Sequence, residues 1–131
     1  MPFGRLGKKV ALEAAFGISP SSTRYMALLT GIGIAGRDQE ADAAGYARQQ
    51  VAFTAGSSPN YAPTQTANVE FDFTATESPI TGTFVTGTLT DANDTAFQNN
   101  IIAYATGANL TGIGDGSTVV VSNASGSITN S

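Results

Sequence analysis

The 131-residue sequence predicts a mainly β, single-domain fold, a β-sandwich of the jelly-roll kind with one short N-terminal helix. Three observations carry that prediction. Residues 69–73 alternate strictly: Val69, Phe71 and Phe73 are apolar, with Glu70 and Asp72 between them. That is the period-two signature of a strand with one dry and one wet face. Short β-branched and aromatic runs recur along the chain, separated by clusters of Gly, Asn, Asp and Pro. A helical period occurs at the front, before any of these runs.

Taken in order, Leu6, Val10 and Ala14 recur four residues apart and predict a helix within residues 1–17, with Lys9 placed to pair with Glu13 one turn on. Gly17 suits the residue after a helix C-cap, Pro20 discourages continuation, and residues 19–22 form a turn. Residues 24–29 (RYMALL) are a short apolar run, predicted as a buried strand. Residues 34–44 lack an apolar face and are predicted as a loop. In residues 46–53, Ala47, Val51 and Phe53 fall on one strand face, and Arg48 and Gln50 on the other. Further strands follow at 67–74, at 82–90 with Phe84, Val85 and Leu89, at 101–104 and at 118–121. Turns separate them at 56–60, 91–94 and 114–116. The sequence therefore divides into a helical arm (1–23), a β-sandwich (24–122) and a polar tail (123–131). The tail is Ser, Asn and Gly with one Ile, so alone it would fray, and neighbouring chains would be needed to order it.

Only 12% of residues are charged, about half of the usual share of roughly 25%. The polar surface must come from Thr, Ser, Asn, Gln and Gly, which are cheaper to desolvate than Lys or Glu, so the composition favours protein–protein contact. His, Cys and Trp are absent. Disulfides, thiolate nucleophiles, Cys-ligated metal sites and imidazole acid–base chemistry go with them. Carboxylate, Lys and Tyr chemistry remain, and no convergent set of those residues is visible. No apolar run approaches a membrane span, and the N-terminal residues lack the pattern of a cleaved leader.

The charges are segregated. All six basic residues, Arg5, Lys8, Lys9, Arg24, Arg37 and Arg48, lie in the first 48 positions, while six acids follow position 48. Residues 1–24 carry four bases against one acid. A basic arm on an acidic body suits docking onto another copy or onto a different acidic protein, and Arg5, Lys8, Lys9 and Arg24 are the candidate partner-binding residues. Folding of the arm back onto its own domain is the competing expectation.

Motifs that suggest chemistry fail on context. Residues 31–36 (GIGIAG) match the glycine spacing of a dinucleotide turn, but neither a helix with an apolar face nor a carboxylate about 20 residues on follows. Residues 4–9 (GRLGKK) lack the glycine spacing and the Ser or Thr of a phosphate loop. Asp91, Asn93 and Asp94 could offer oxygens to Ca²⁺, but the rest of that signature is missing and Asx turns explain them. Glu70 and Asp72 share a strand face as hydrolytic carboxylates would, yet wet-face charges are the rule there. A net charge of −4 argues against a nucleic-acid partner. No cofactor, metal or catalytic residue is expected.

The order of segments is informative as a whole. The helix around Lys8–Phe16 leads to Tyr25–Thr30, then to Gly45-Tyr46-Ala47-Arg48, to residues 67–71 (ANVEF), to Thr90-Asp91-Ala92 and to residues 114–121 (GDGSTVVV). This order resembles a family of small virion proteins of tailed bacteriophages, labelled capsid decoration or tail-fibre-like proteins. The resemblance covers about residues 8–122, and Gly45–Arg48 is its most specific piece. It implies a non-enzymatic component of the virion, assembled in the host cytoplasm and acting as a symmetric oligomer. The expected partners are other copies of the chain and other virion proteins, the major capsid protein first, with no nucleic acid and no membrane. A decoration or cement subunit is the leading expectation and a tail-fibre or tail-adaptor subunit the alternative. The alternative would call for a shaft or an aromatic sugar site, and Tyr61, in a Pro/Asn/Ser loop, is the one exposed-looking aromatic. A small carbohydrate-active or nucleotide-using enzyme is the third reading.

Overall fold

A computed structural model of the chain describes residues 4–123 and 126–130. Residues 1–3, 124–125 and 131, which include the front of the predicted arm and parts of the predicted tail, lie outside the described residues.

The helix α1 spans Arg5–Ala15 and ends as its sequence dictates. Gly17 takes φ +72°, a left-handed conformation that costs glycine least. Its N–H donates to Ala14 O at 3.2 Å, and Ile18 N–H donates to Glu13 O at 2.7 Å, the paired bonds of a Schellman cap. Lys9 Nζ lies 2.6 Å from Glu13 Oε2, the pair anticipated from the spacing.

The rest is built mainly of antiparallel strands. β1 (Arg24–Leu29) lies inside a four-stranded sheet between β2 (Gln49–Val51) and β6 (Ile80–Thr86), with β7 (Ile101–Leu110) at the far edge, in the order β2-β1-β6-β7. β3 (Phe53–Thr54) and β4 (Thr64–Gln65) form a small ribbon. β5 (Val69–Asp72), β8 (Thr118–Val121) and β9 (Ile128–Asn130) form a third sheet, in that order. Val69 and Phe71 are buried while Glu70 and Asp72 are exposed, as the alternation predicts. Phe71 faces Val119 and Val69 faces Val121 across the β5–β8 ladder. These four residues join Met26, Leu28, Val51 and Ile80 of the larger sheet in one buried cluster, so the two sheets share a core. The mainly β, single-domain architecture with a short N-terminal helix is thus the observed one.

The larger sheet is covered on its other face as well. Ala27, Leu29 and Phe84 pack there against Phe97, with Ile34 and Ile101 at the margin. Phe97 belongs to α2 (Asp94–Asn100), and its ring meets Phe84 edge to face at 5.3 Å. Being covered twice explains why β1 over its last four residues and β6 over its last three are buried without alternation. Gly82 in β6 is required sterically, because a Cβ there would lie 1.9 Å from the Ala105 carbonyl oxygen of β7.

Four expectations are corrected. Residues 91–94 are not only a turn: Asn93 caps α2, its Oδ1 accepting Ala96 N–H at 2.8 Å. The tail is not wholly loose, because residues 128–130 form β9 and pair with β8 of the same chain. Arg48 does not face solvent; it is 8% exposed. Among the described aromatics Tyr104 is the exposed one at 55%, whereas Tyr61 is half-buried at φ +55°.

Candidate functional site

Two regions hold the chain's chemically active side chains. The first is the arm. Arg24, at the start of β1, turns its guanidinium back onto the end of α1. Nε donates to Ala15 O at 2.7 Å and Nη2 to Ala14 O at 3.2 Å, while Nη1 reaches Thr23 O at 2.9 Å. A cation on the last helical carbonyls opposes their partial negative charge. Phe16 stacks edge-on against Phe53 at 4.8 Å. Both anchors hold the C-terminal end of α1. Its other end projects, with Leu6 73% and Val10 59% exposed and Arg5 and Lys8 beside them. The apolar stripe read from the sequence therefore exists, and among the described residues its Leu6 and Val10 are left bare while Ala14 is half-buried. Of the four candidate partner-binding residues, Arg5 and Lys8 face solvent, Lys9 is paired with Glu13, and Arg24 fixes the arm in place.

The second region lies where the loop before β2 meets the loop after β6. Arg48 is its centre. Nε and Nη2 donate to the two oxygens of Glu40 at 2.9 and 2.8 Å, a bidentate fork. Nη2 also donates to Asp91 Oδ2 at 2.6 Å, and Nη1 to Thr88 O at 2.9 Å. Asp91 Oδ1 accepts from Thr88 Oγ1 at 2.9 Å and Asn100 Nδ2 at 2.8 Å. Tyr46 joins this polar group to the core. Its ring stacks on Phe71 and Phe73 at 5.9 and 5.8 Å, and its hydroxyl donates to Glu40 Oε2 at 2.7 Å and accepts Leu28 N–H at 3.1 Å. The guanidinium carbon also sits 5.4 Å from the Phe84 ring centre.

The electrostatics follow from that geometry. Burial alone would lower the Arg48 pKa, but the hydrogen bonds it donates to Glu40 and Asp91 outweigh that and hold the guanidinium above its ordinary value. Burial would raise Asp91, and the hydrogen bonds from Asn100, Arg48 and Thr88 reverse that and keep it below the ordinary carboxylate value. Burial, then the charge on Glu40, pushes the Tyr46 phenol well above 10.0.

Perturbed groups beside a cleft are the usual mark of a reactive site. Here the cleft, about 410 Å³, is lined by Arg37, Glu40, Tyr46, Arg48, Leu89 and Asp91. The network at its wall is saturated: all four carboxylate oxygens of Glu40 and Asp91 accept hydrogen bonds from the protein. Its geometry is that of a strut clamping two loops.

The remaining candidates are placed as follows. Asp91, Asn93 and Asp94, the possible cation ligands, are turned to separate tasks: the strut, the α2 cap and an exposed pair with Arg37 at 3.4 Å. The Arg37 backbone N–H, hydrogen-bonded to Asp94, holds that carboxyl below its ordinary value. Among the described residues no group of three or more acidic side chains is placed to hold a metal ion. Residues 31–36 form a bent loop followed by a single 3-10 turn, with Ile32 98% exposed at its tip. Glu70 and Asp72 lie open on β5, and Asp72 accepts from Thr118 Oγ1 at 2.8 Å. Among the described residues no helix is long and apolar enough to cross a membrane.

Sequence reasoning missed the strut, and it also missed Glu77. That carboxylate is nearly buried and accepts the N–H groups of Asp42 and Ala43 at 2.9 and 2.7 Å, and of Ser78 at 2.9 Å. The tetrapeptide 45–48 holds two members of the strut, Tyr46 and Arg48, in the loop before β2, and nothing adjacent in sequence marks Glu77. Comparison of the chain with protein-family models, with curated proteins and with solved structures finds no match.

Proposed function

We propose that this chain is a non-enzymatic structural subunit of a bacteriophage particle, a decoration or cement protein that bridges neighbouring major capsid subunits. One observation carries most of the argument: α1 is anchored at its C-terminal end and presents Leu6, Val10, Arg5 and Lys8 to solvent. An amphipathic helix with a bare apolar stripe has a use if another protein covers it. Burying Leu6 and Val10 fully would contribute roughly 1.5–3 kcal/mol each. That is weak for one contact and sufficient when repeated over a shell by multivalent attachment. The basic arm, with Arg5 and Lys8 exposed beside that stripe, favours an acidic surface on the neighbour, such as the body of another copy with its nine acids against two bases from residue 25 onward. The saturated strut supports the non-enzymatic part of the reading, because it gives the body rigidity without a free acid or base. In this reading the protein acts in the virion, with its own copies and the capsid protein as partners and with neither nucleic acid nor membrane.

The test is to locate the chain on purified phage particles with an antibody against it, using electron microscopy. Labels spread over the shell would support a decoration subunit. A few labels confined to tail or neck would replace it with the tail-fibre or adaptor reading, and unlabelled particles would remove the virion reading altogether. Leu6→Lys with Val10→Lys should then abolish shell binding while leaving the thermal melt of the body unchanged.

A further inference from the structure

We infer that the outer edge of β7 is where two copies of this chain join, strand to strand and antiparallel, so that the four-stranded sheet of each continues into the other. The inference deepens the self-association in the proposed reading, but it needs no particle and is tested on the isolated chain.

β7 is ten residues long and closes one side of its sheet, with β6 hydrogen-bonded on its inner flank and, among the described residues, no strand hydrogen-bonded on its outer flank, although β9 of the other sheet lies beside it. The opposite edge, β2, has three residues. Register shifts interrupt the β6–β7 ladder between Val85 and Thr86 and between Ile80 and Gly82, and they bracket a regular stretch, Ala103–Thr106. That stretch coincides with the most open part of the strand, since residues 104–107 are all exposed. Bare edges of this kind are usually guarded by a Lys, a Pro, a bulge or an inward charge, and the bulges of β7 lie outside Ala103–Thr106. Here no charged residue and no Pro occurs from Thr95 to Gly114.

Charge permits a second copy as the occupant, and symmetry favours one. From residue 25 onward the body holds nine acids and two bases, and both bases are already paired with its own carboxylates. Two bodies meeting through their acidic surfaces would set carboxylate against carboxylate, whereas the long β7 strip, like residues 49–69 with the shorter edge β2, carries no charge to oppose. A two-fold axis near Ala105 makes the edge self-complementary. It sets Tyr104 opposite Thr106 of the second copy, twice by symmetry, which is a favourable aromatic–β-branched cross-strand pair. On the core side of the sheet Ala103 and Ala105 continue a shallow apolar groove formed with Met26, Val85 and Phe53, which the added strand would extend.

The experiment uses the purified full chain. Sedimentation equilibrium should give a dimer. Tyr104→Lys with Thr106→Lys should weaken it by about tenfold or more, since four ammonium groups would then crowd the axis. Leu6→Lys in the arm should leave the dimer intact. The chain has no cysteine, so single substitutions to Cys at residues 103–106, 108 and 109, leaving out Gly107 at φ +101°, can be oxidised without background. Disulfide yield should peak at Ala105 or an immediate neighbour and fall on both sides, because directly opposed Cβ atoms lie about 4.5–5.5 Å apart and staggered ones do not bridge. These Cys substitutions are small enough to keep the fold if the Lys pair does not. A monomeric wild type, a dimer indifferent to the β7 lysines, a dimer dissolved by Leu6→Lys, or a flat Cys profile would each overturn the inference. A dimer with the expected Cys profile would stand even if no particle carried the protein.

Discussion

Replacing Arg48 by Met removes a cation while nearly keeping the volume of its stem, and it isolates the energetic role of the strut. Two carboxylates, Glu40 and Asp91, then lose their shared counter-charge in a place where Asp91 is 1% and Glu40 14% exposed. Breaking a buried pair from one side typically costs about 3–5 kcal/mol. Asp91 retains Thr88 and Asn100, and Glu40 retains Tyr46, so the lower end, about 3 kcal/mol, is expected at pH 7. That would be a large share of the roughly 5–15 kcal/mol that holds a domain together. The pH dependence gives a second, sharper reading. In the native protein Asp91 has a depressed pKa, so its contribution is complete above the ordinary carboxylate value and lost as pH falls through the folded one. Without Arg48 the burial of Asp91 is unopposed by a cation, and protonating it relieves the variant. The gap between the two proteins should therefore close as pH falls from 7 towards 3.5. Urea unfolding at a series of pH values measures it. A loss under about 1 kcal/mol at pH 7, or one that stays constant with pH, would refute the reasoning and reduce the strut to a surface contact.

Other substitutions address the remaining supports. Glu77→Ala strands the N–H groups of Asp42 and Ala43 and should cost about 2–3 kcal/mol in urea unfolding, with Glu77→Gln recovering part through its amide oxygen; equal losses for both would contradict this. Phe97→Ala empties the contact with Phe84 and should cost about 3–5 kcal/mol, seen as a fall in Tm; a change within about 1 kcal/mol would mean that α2 does not seal that face. Asn93→Ala removes the α2 cap and should cost about 1 kcal/mol, whereas Asn93→Asp should cost almost nothing, and a loss common to both would point away from capping.

What the sequence disclosed follows from how local each signal is. The β5 alternation and the α1 cap are written in adjacent residues, so Val69–Phe73 and Gly17 could be assigned from spacing alone. Arg48 could not. Its alternation with Ala47 and Val51 pointed it away from the core, and its partners stand at positions 40 and 91, on loops that only the folded sheets bring together. α2 was hidden because its seven residues hold a single large apolar side chain, Phe97, and end in two Asn. Tertiary burial of one ring, together with one cap, sustains a helix too short to form by propensity. β9 was hidden for the opposite reason: its side chains are mostly polar, and backbone pairing with β8 defines it. The arm was half legible, since the stripe and the charges were plain but their exposure was not.

The position of β1 has a consequence for how the chain is made. Ala27 and Leu28 finish their pairing against Phe84 and Thr83, more than fifty residues downstream. At roughly 5–20 residues per second, a ribosome needs on the order of several seconds to deliver that partner. Throughout that interval Met26-Ala27-Leu28-Leu29, among the most apolar stretches of the chain, has at best the short β2 beside it. Long-range pairing of this kind also folds slowly once the chain is complete. Soluble yield in a producing cell therefore depends on how well that strand is shielded during synthesis, and slowing initiation or supplying a holding chaperone should raise it more than stabilising the finished fold.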